Sequence, residues 1–259
     1  MLPILFTIGP IKIYTFGVFL VLALFWGSYL LWKLIRLTSF KEEDIFDSLF
    51  WVLAGGLLLG RLVYVLLNLK EFGFNLLKFL LINGYPGISL YGAITGGLLT
   101  LYLFCHNKKL KFSELVDYFI APFFLALFLG KLGSFFSGNK VGEVFESLLF
   151  TLGVIFTYKI LFQIRKEKLT HGFNLRFFIW YFSLVYLTFD KMKGNQLYFL
   201  NYSFNGVVST TLFLTFSFYF VYYFRSTLIT YGKNTFQKIR EGAKRKIRGG
   251  QEKNPSTNN

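Results

Sequence analysis

The sequence has almost none of the residues that build metal and redox centres. It holds one cysteine, Cys105, and two histidines, His106 and His171. A lone cysteine excludes a disulfide framework and a Cys-rich metal site, and at the cytoplasmic end of an apolar run Cys105 reads as a small packing residue. The histidines fall in connecting segments without companion ligands, so neither a metal nor another cofactor is expected. There is no phosphate-binding glycine loop, no internal repeat and no second domain. Charge is scarce as well, at 16% of residues, with 13 Asp and Glu against 28 Lys and Arg.

What fills the chain is apolar. Of 259 residues 54% are apolar and 21% aromatic, and the mean hydropathy is +0.51. Thirty-five Phe and 16 Tyr exceed what a water-soluble core of this length can hide, whereas lipid-facing helices need no polar cover. The expected fold is therefore an all-α integral membrane protein of about seven transmembrane helices. The apolar stretches lie near 14–32, 45–67, 88–105, 115–136, 144–163, 175–190 and 206–224, the sixth short and the fourth interrupted by glycines. The first is too long for a cleaved signal peptide and lacks a basic segment ahead of it.

The connecting segments alternate in charge. Lys33, Arg36 and Lys41 follow the first span, Lys108, Lys109 and Lys111 the third, Arg165, Lys166, Lys168 and Arg176 the fifth, and nine basic residues the seventh. The opposite side collects only Lys12, Lys70, Lys78, Lys140, Lys191 and Lys193. By the positive-inside rule the N-terminus is outside and the C-terminus cytoplasmic. The net charge of +15 is then mostly topology and attraction to anionic lipid, not a nucleic-acid footprint. Residues 1–228 read as a polytopic membrane domain with an outer-leaflet lipid cavity, and 229–259 as a basic cytoplasmic tail.

Three cations, Arg61, Lys131 and Lys159, fall inside spans, where an ionisable group normally needs a partner or a cavity. Lys159 is near enough to the cytoplasmic end to snorkel. Arg61 and Lys131 instead share one level with Ser89, Tyr91, Glu146 and Asp190, roughly 10 Å or less from the outer boundary at the helical rise. As pure packing, these groups would form the ion pairs Arg61 with Glu146 and Lys131 with Asp190. As a cavity, they would be joined by the backbone amides of Gly84, Gly87, Gly92, Gly130, Gly133, Gly138 and Gly142, which suit an anionic head group. Gly56 and Gly60, or Gly92 and Gly96, equally suit close helix packing.

The order of short motifs over roughly residues 8 to 224 resembles the prolipoprotein diacylglyceryl transferases. Ile8-Gly9-Pro10-Ile11 with Phe16-Gly17, Gly60-Arg61-Leu62 with Tyr64, and Gly87-Ile88-Ser89-Leu90-Tyr91-Gly92 follow one another as in that family. Gly130-Lys131-Leu132-Gly133-Ser134-Phe135-Phe136-Ser137-Gly138 is similar to its signature Gly-Arg-x-Gly-Asn-Phe-x-Asn-Gly. Phe145-Glu146 and Asn205-Gly206-Val207-Val208-Ser209 complete the series. The resemblance implies seven spans and transfer of a diacylglyceryl group from phosphatidylglycerol, or a related anionic lipid, to the lipobox cysteine of prolipoproteins, with release of glycerol phosphate. It implies residence in the bacterial cytoplasmic membrane and partners of two kinds, that lipid and prolipoprotein signal peptides.

Carried onto this chain, the resemblance makes Lys131 the phosphate ligand at the signature arginine, assisted by Arg61 and by the amides of Gly92, Gly133, Gly138 and Gly142. Tyr91 stands at the family histidine, as proton acceptor or orienting donor. Ser134, at the family asparagine, and Tyr186 would hydrogen-bond the head group, Glu146 would position Lys131, and Asp190 aligns with either a family arginine or a family glutamate. Phe16 and Asn139 also depart from the pattern, at a tyrosine and a commonly acidic position. These departures keep a second reading open: a catalytically silent homologue that binds lipid or lipoprotein precursors without transfer.

Overall fold

A computed structural model describes residues 3–9, 11–69, 87–138, 142–189, 198–199 and 202–225. Lys70, Lys78, Gly84, Asn139, Lys140, Asp190, Lys191, Lys193 and the tail beyond 225 lie outside the described residues. Residues Met1–Phe213 form one compact unit and Leu214–Asn259 a second.

Among the described residues seven helices follow the apolar runs: α1 (Thr15–Ile35), α2 (Glu42–Leu67), α3 (Leu90–Lys108), α4 (Phe112–Phe136), α5 (Gly142–Arg165), α6 (Phe173–Phe189) and α7 (Phe204–Tyr223). Five of them, α1, α2, α4, α5 and α7, are long and apolar enough to cross a membrane, and α6, with 17 residues, is shorter. Two small hairpins join this helical frame: β1 (Ile4–Ile8) against β2 (Ile11–Tyr14), and β3 (Tyr198–Phe199) against β4 (Tyr202–Ser203). In the first, Ile4, Ile8, Ile11 and Ile13 give the strands β-branched residues, and Gly9, with φ +58°, turns the chain back.

Local chemistry sets the helix ends. Glu42, Glu43 and Asp44 occupy the first turn of α2, where carboxylates meet the positive end of the helix dipole. Ser89 caps α3 by accepting the Gly92 N–H at 3.2 Å, and Lys109 in the left-handed region ends that helix. The start of α6 is capped from another helix: the carboxylate of Asp117, buried in α4, accepts the N–H groups of Gly172, Asn174 and Leu175 at 2.6, 3.1 and 3.3 Å. Asn174 returns a bond from its amide to the Asp117 carbonyl at 2.9 Å. This clamp sets the depth at which α6 holds Tyr186 near its other end.

Small residues let the backbones touch. On α2 and α3, Gly55, Gly56 and Gly60 face Ala93, Gly96 and Gly97, and a methyl group added at Gly96 would stand 2.5 Å from the Gly55 carbonyl oxygen. On the outside of the helices Val21, Phe25, Phe50, Trp51 and Leu58 are exposed, a surface suited to lipid and not to water. Inside, one aliphatic cluster gathers Leu31, Ile35, Leu101, Leu115 and Leu161. A second, aromatic one gathers Tyr91, Phe124, Phe150, Phe178, Phe182 and Tyr186.

Candidate functional site

The end of α4 meets the start of α5 through Lys131 and the end of α6 through Tyr186, and the starts of α3 and α7 meet through Tyr91 and Ser209. Lys131, one and a half turns before the end of α4, places its ammonium 2.8 Å from Glu143 Oε2 and 2.6 Å from Glu146 Oε2. The two glutamates are three residues apart and therefore share one face of α5. Glu146 is 2% exposed, whereas Lys131 and Glu143 are 16% and 19% exposed. The cluster thus has a buried anchor and a more open carboxylate, with one positive and two negative formal charges. Removing two ions from water is repaid only by close pairing of this kind.

Lys131 also lies 5.9 Å from the ring centre of Tyr186. That ring stacks on Phe182 at 4.6 Å, and both meet the ring of Tyr91 edge to face, at 5.7 and 5.6 Å. The Tyr91 hydroxyl is 2.5 Å from Ser209 Oγ, and Ser209 donates to the Asn205 carbonyl at 2.6 Å. A serine has one proton to give, so with that proton on Asn205 the phenol is the donor to Ser209.

Arg61 is buried on α2 and donates through Nη1 to the Gly87 carbonyl at 2.9 Å, with its guanidinium 5.7 Å from the Tyr64 ring centre. Gly87 has φ +151°, and a side chain there would run into that ring. Arg61 so holds the segment that enters α3 just ahead of Tyr91.

The remaining residues named from the sequence take different places. Ser134 is half-buried one turn beyond Lys131. Gly92 packs against Val63 and Leu59 and gives its N–H to Ser89, and Gly133 packs against Phe19. Gly138, with φ +108°, follows the last turn of α4, and Gly142 is buried at the start of α5. Of the two ion pairs expected from packing alone, Lys131 with Asp190 lies outside the described residues, and Glu146 is joined to Lys131. Sequence reasoning left Glu143 unassigned, although its spacing from Glu146 already placed both on one helix face. It also quoted Ser209 without giving it a part. Lys159 is exposed, Cys105 is buried, and both histidines are exposed.

Next to this layer lies an apolar cavity of about 260 Å³ between α1, α2, α3 and α4. Val52, Gly56, Leu98 and Phe123 line it, with Ser28 as its one hydroxyl. Its wall includes Leu90, Ile94 and Ile120, which belong to the aromatic cluster around Tyr91. The cavity so meets the Tyr91 cluster through apolar side chains, and Lys131, Glu143, Glu146 and Tyr186 are not among its lining residues.

Comparison with known proteins is consistent along most of the chain. The family model described as prolipoprotein diacylglyceryl transferase matches residues 3–222. A phosphatidylglycerol–prolipoprotein diacylglyceryl transferase of Clostridium tetani is 31% identical over 159 residues, 61% of this chain and 61% of the relative, so the match spans about three fifths of that relative's own length. The protein of the same name in Thermoanaerobacter sp. is 25% identical over 192 residues, covering 71% of this chain and 74% of the relative. That of Rickettsia africae is 31% identical over 176 residues, 66% of each. With a match running from β1 into α7, through every helix that carries the polar layer, the chain belongs to the prolipoprotein diacylglyceryl transferase family.

Proposed function

We propose that this chain transfers a diacylglyceryl group from phosphatidylglycerol to the lipobox cysteine thiol of prolipoproteins. The observation that carries the reading is the contact chain Lys131–Tyr186–Tyr91–Ser209 set beside the apolar cavity of α1 to α4, within a family of that description. A phospholipid donor needs both environments: hydrocarbon walls for acyl chains and a cation for its phosphate. The thiol, free in water, has a pKa near about 8.5 and must lose its proton before it attacks. The phosphate gains charge as it leaves and needs donors aimed at it.

In this reading Lys131 faces the phosphate and Glu146 fixes the direction of its ammonium. Arg61 keeps the entry to α3 in place, and the Tyr91 hydroxyl, held by Ser209, orients the incoming thiol. A neutral phenol with its proton on Ser209 is a poor base near neutrality, so Tyr91 orients and does not itself take the proton. The Lys131 end faces the outer leaflet of the bacterial cytoplasmic membrane, the direction given by the basic residues after α1, α3 and α5.

Complementation tests this directly. In bacteria depleted of their own diacylglyceryl transferase, expression of this chain is expected to convert a reporter prolipoprotein to the form heavier by one diacylglyceryl group. Folded, membrane-inserted protein that leaves the reporter unmodified, in a host supplied with matching lipid and precursor, favours the silent homologue instead.

A further inference from the structure

The arrangement at Lys131 contains one carboxylate more than a phosphate-binding lysine needs. Glu146, at 2% exposure and 2.6 Å, is sufficient to hold the ammonium. Glu143 adds a second negative charge at 2.8 Å and is the more exposed of the two. With both ionised, two carboxylates hold the Lys131 ammonium and compete with an anionic head group for its N–H groups. A proton on Glu143 removes one of these two competitors.

Among the described residues few other groups near Lys131 can take a proton. The phenol of Tyr91 is committed as a donor to Ser209, Glu146 is closed off from solvent, and His106 and His171 belong to the far ends of their helices or connections. Among the described residues Glu143 is the more exposed of the carboxylates in contact with the cation, with the Oε2 that meets Lys131 buried and the side chain as a whole 19% exposed.

We infer that Glu143 accepts the proton of the lipobox thiol and, once protonated, yields Lys131 to the phosphate of the lipid. The inference rests on the transferase reading given above. The S–H proton passes to a carboxylate oxygen of Glu143, and the sulfur electron pair forms an S–C bond to the glyceryl carbon that bears the phosphate. The C–O bond to that carbon breaks and its electron pair leaves with the phosphate oxygen, toward which the released Lys131 N–H is directed. Glycerol phosphate departs with one more negative charge than the phosphodiester had, and Glu143 passes its proton to it or to water. One carboxylate so couples the two charge changes the reaction requires, at the thiol and at the leaving group.

The test uses the full chain purified in detergent, a short-chain phosphatidylglycerol as lipid, phosphatidylcholine of the same chain length as control, and a lipobox peptide with one cysteine. Glu143→Gln copies the protonated state in shape and charge. It is expected to bind phosphatidylglycerol about fivefold or more tightly than the unaltered chain, with no change toward phosphatidylcholine. The same variant is expected to lose about 100-fold in peptide modification at pH 7, the lower range for loss of a general base. In Glu143→Ala, added acetate restores part of the modification, which a purely structural role does not allow, and acetate restores none in Glu146→Ala. Unchanged or weaker phosphatidylglycerol binding by Glu143→Gln, or modification at the unaltered rate, overturns the inference while leaving the transferase reading in place. An unaltered chain that modifies no peptide overturns both.

Discussion

Tyr91 and Ser209 stand 118 residues apart in the chain and 2.5 Å apart in the fold. Their bond ties the first turn of α3 to the first turns of α7, and the Asn205 carbonyl behind Ser209 determines its direction. Tyr91→Phe keeps the ring contacts with Phe182 and Tyr186 and removes only the hydroxyl, so the loss of stability is expected to be about 1 kcal/mol. Tyr91→Ala removes the ring from a buried aromatic cluster and is expected to cost about 3–5 kcal/mol. Thermal unfolding of both variants in the same detergent measures the difference. Peptide modification by Tyr91→Phe is expected to fall about tenfold, the scale of one lost orienting hydrogen bond.

Glu146 and Lys131 depend on each other more strongly than a surface pair does. Glu146→Ala removes the buried carboxylate from an ammonium inside the bundle and leaves it, among the described residues, the more exposed Glu143 and the Tyr186 ring, and is expected to destabilise the protein by about 3 kcal/mol or more. Lys131→Ala leaves two carboxylates facing each other, with a similar loss, and is expected to abolish preference for phosphatidylglycerol over phosphatidylcholine. A Lys131→Ala variant that folds and keeps that preference would show that the phosphate is held elsewhere.

The clamp at Asp117 is remote from this chemistry. Asp117→Ala strips the cap from three backbone N–H groups at the start of α6, a buried loss expected to cost about 2 kcal/mol or more. Because α6 carries Tyr186, peptide modification is expected to fall together with thermal stability and to recover when the assay is cooled. Full activity at the temperature where the variant is half unfolded would argue against any link between that cap and the site.

Two glycines should respond in opposite ways to the same change. At Gly96 a methyl group meets the Gly55 carbonyl oxygen at 2.5 Å and the Leu59 Cβ at 2.6 Å, so Gly96→Ala forces α2 and α3 apart and is expected to cost about 1–3 kcal/mol. At Gly130 a methyl group meets nothing within 4 Å, and Gly130→Ala inside α4 is expected to be neutral or to stabilise by up to about 1 kcal/mol. Melting curves of the two variants, side by side, check both signs.

Apolar run length carried the helix positions well. The stretch read at 115–136 lies within α4, Phe112–Phe136, and that at 175–190 differs from α6, Phe173–Phe189, by two residues or fewer at either end. Lipid imposes this legibility, because each crossing must be a long apolar helix. The short hairpins escaped notice, since four or five residues between apolar runs carry little periodicity. Partner choice in the polar layer was the harder part. Depth along a helix follows from counting residues, and it put Lys131, Glu146 and Tyr91 on one level. Which acid meets which base depends on how each helix is rotated and on which neighbours it packs against. Packing alone suggested Arg61 for Glu146, the resemblance set Glu146 to position Lys131, and Glu143 was left out of both.

Formation of the thioether bond by the purified chain is the most direct test of the proposed transfer. Incubated with a lipobox peptide in vesicles containing phosphatidylglycerol, the chain is expected to raise the peptide mass by one diacylglyceryl group, with glycerol phosphate released in equal amount. The same chain in phosphatidylcholine vesicles, or with Lys131→Ala, is expected to give no gain. Peptide left unmodified by folded protein in phosphatidylglycerol vesicles, or equal modification in both kinds of vesicle, would contradict it.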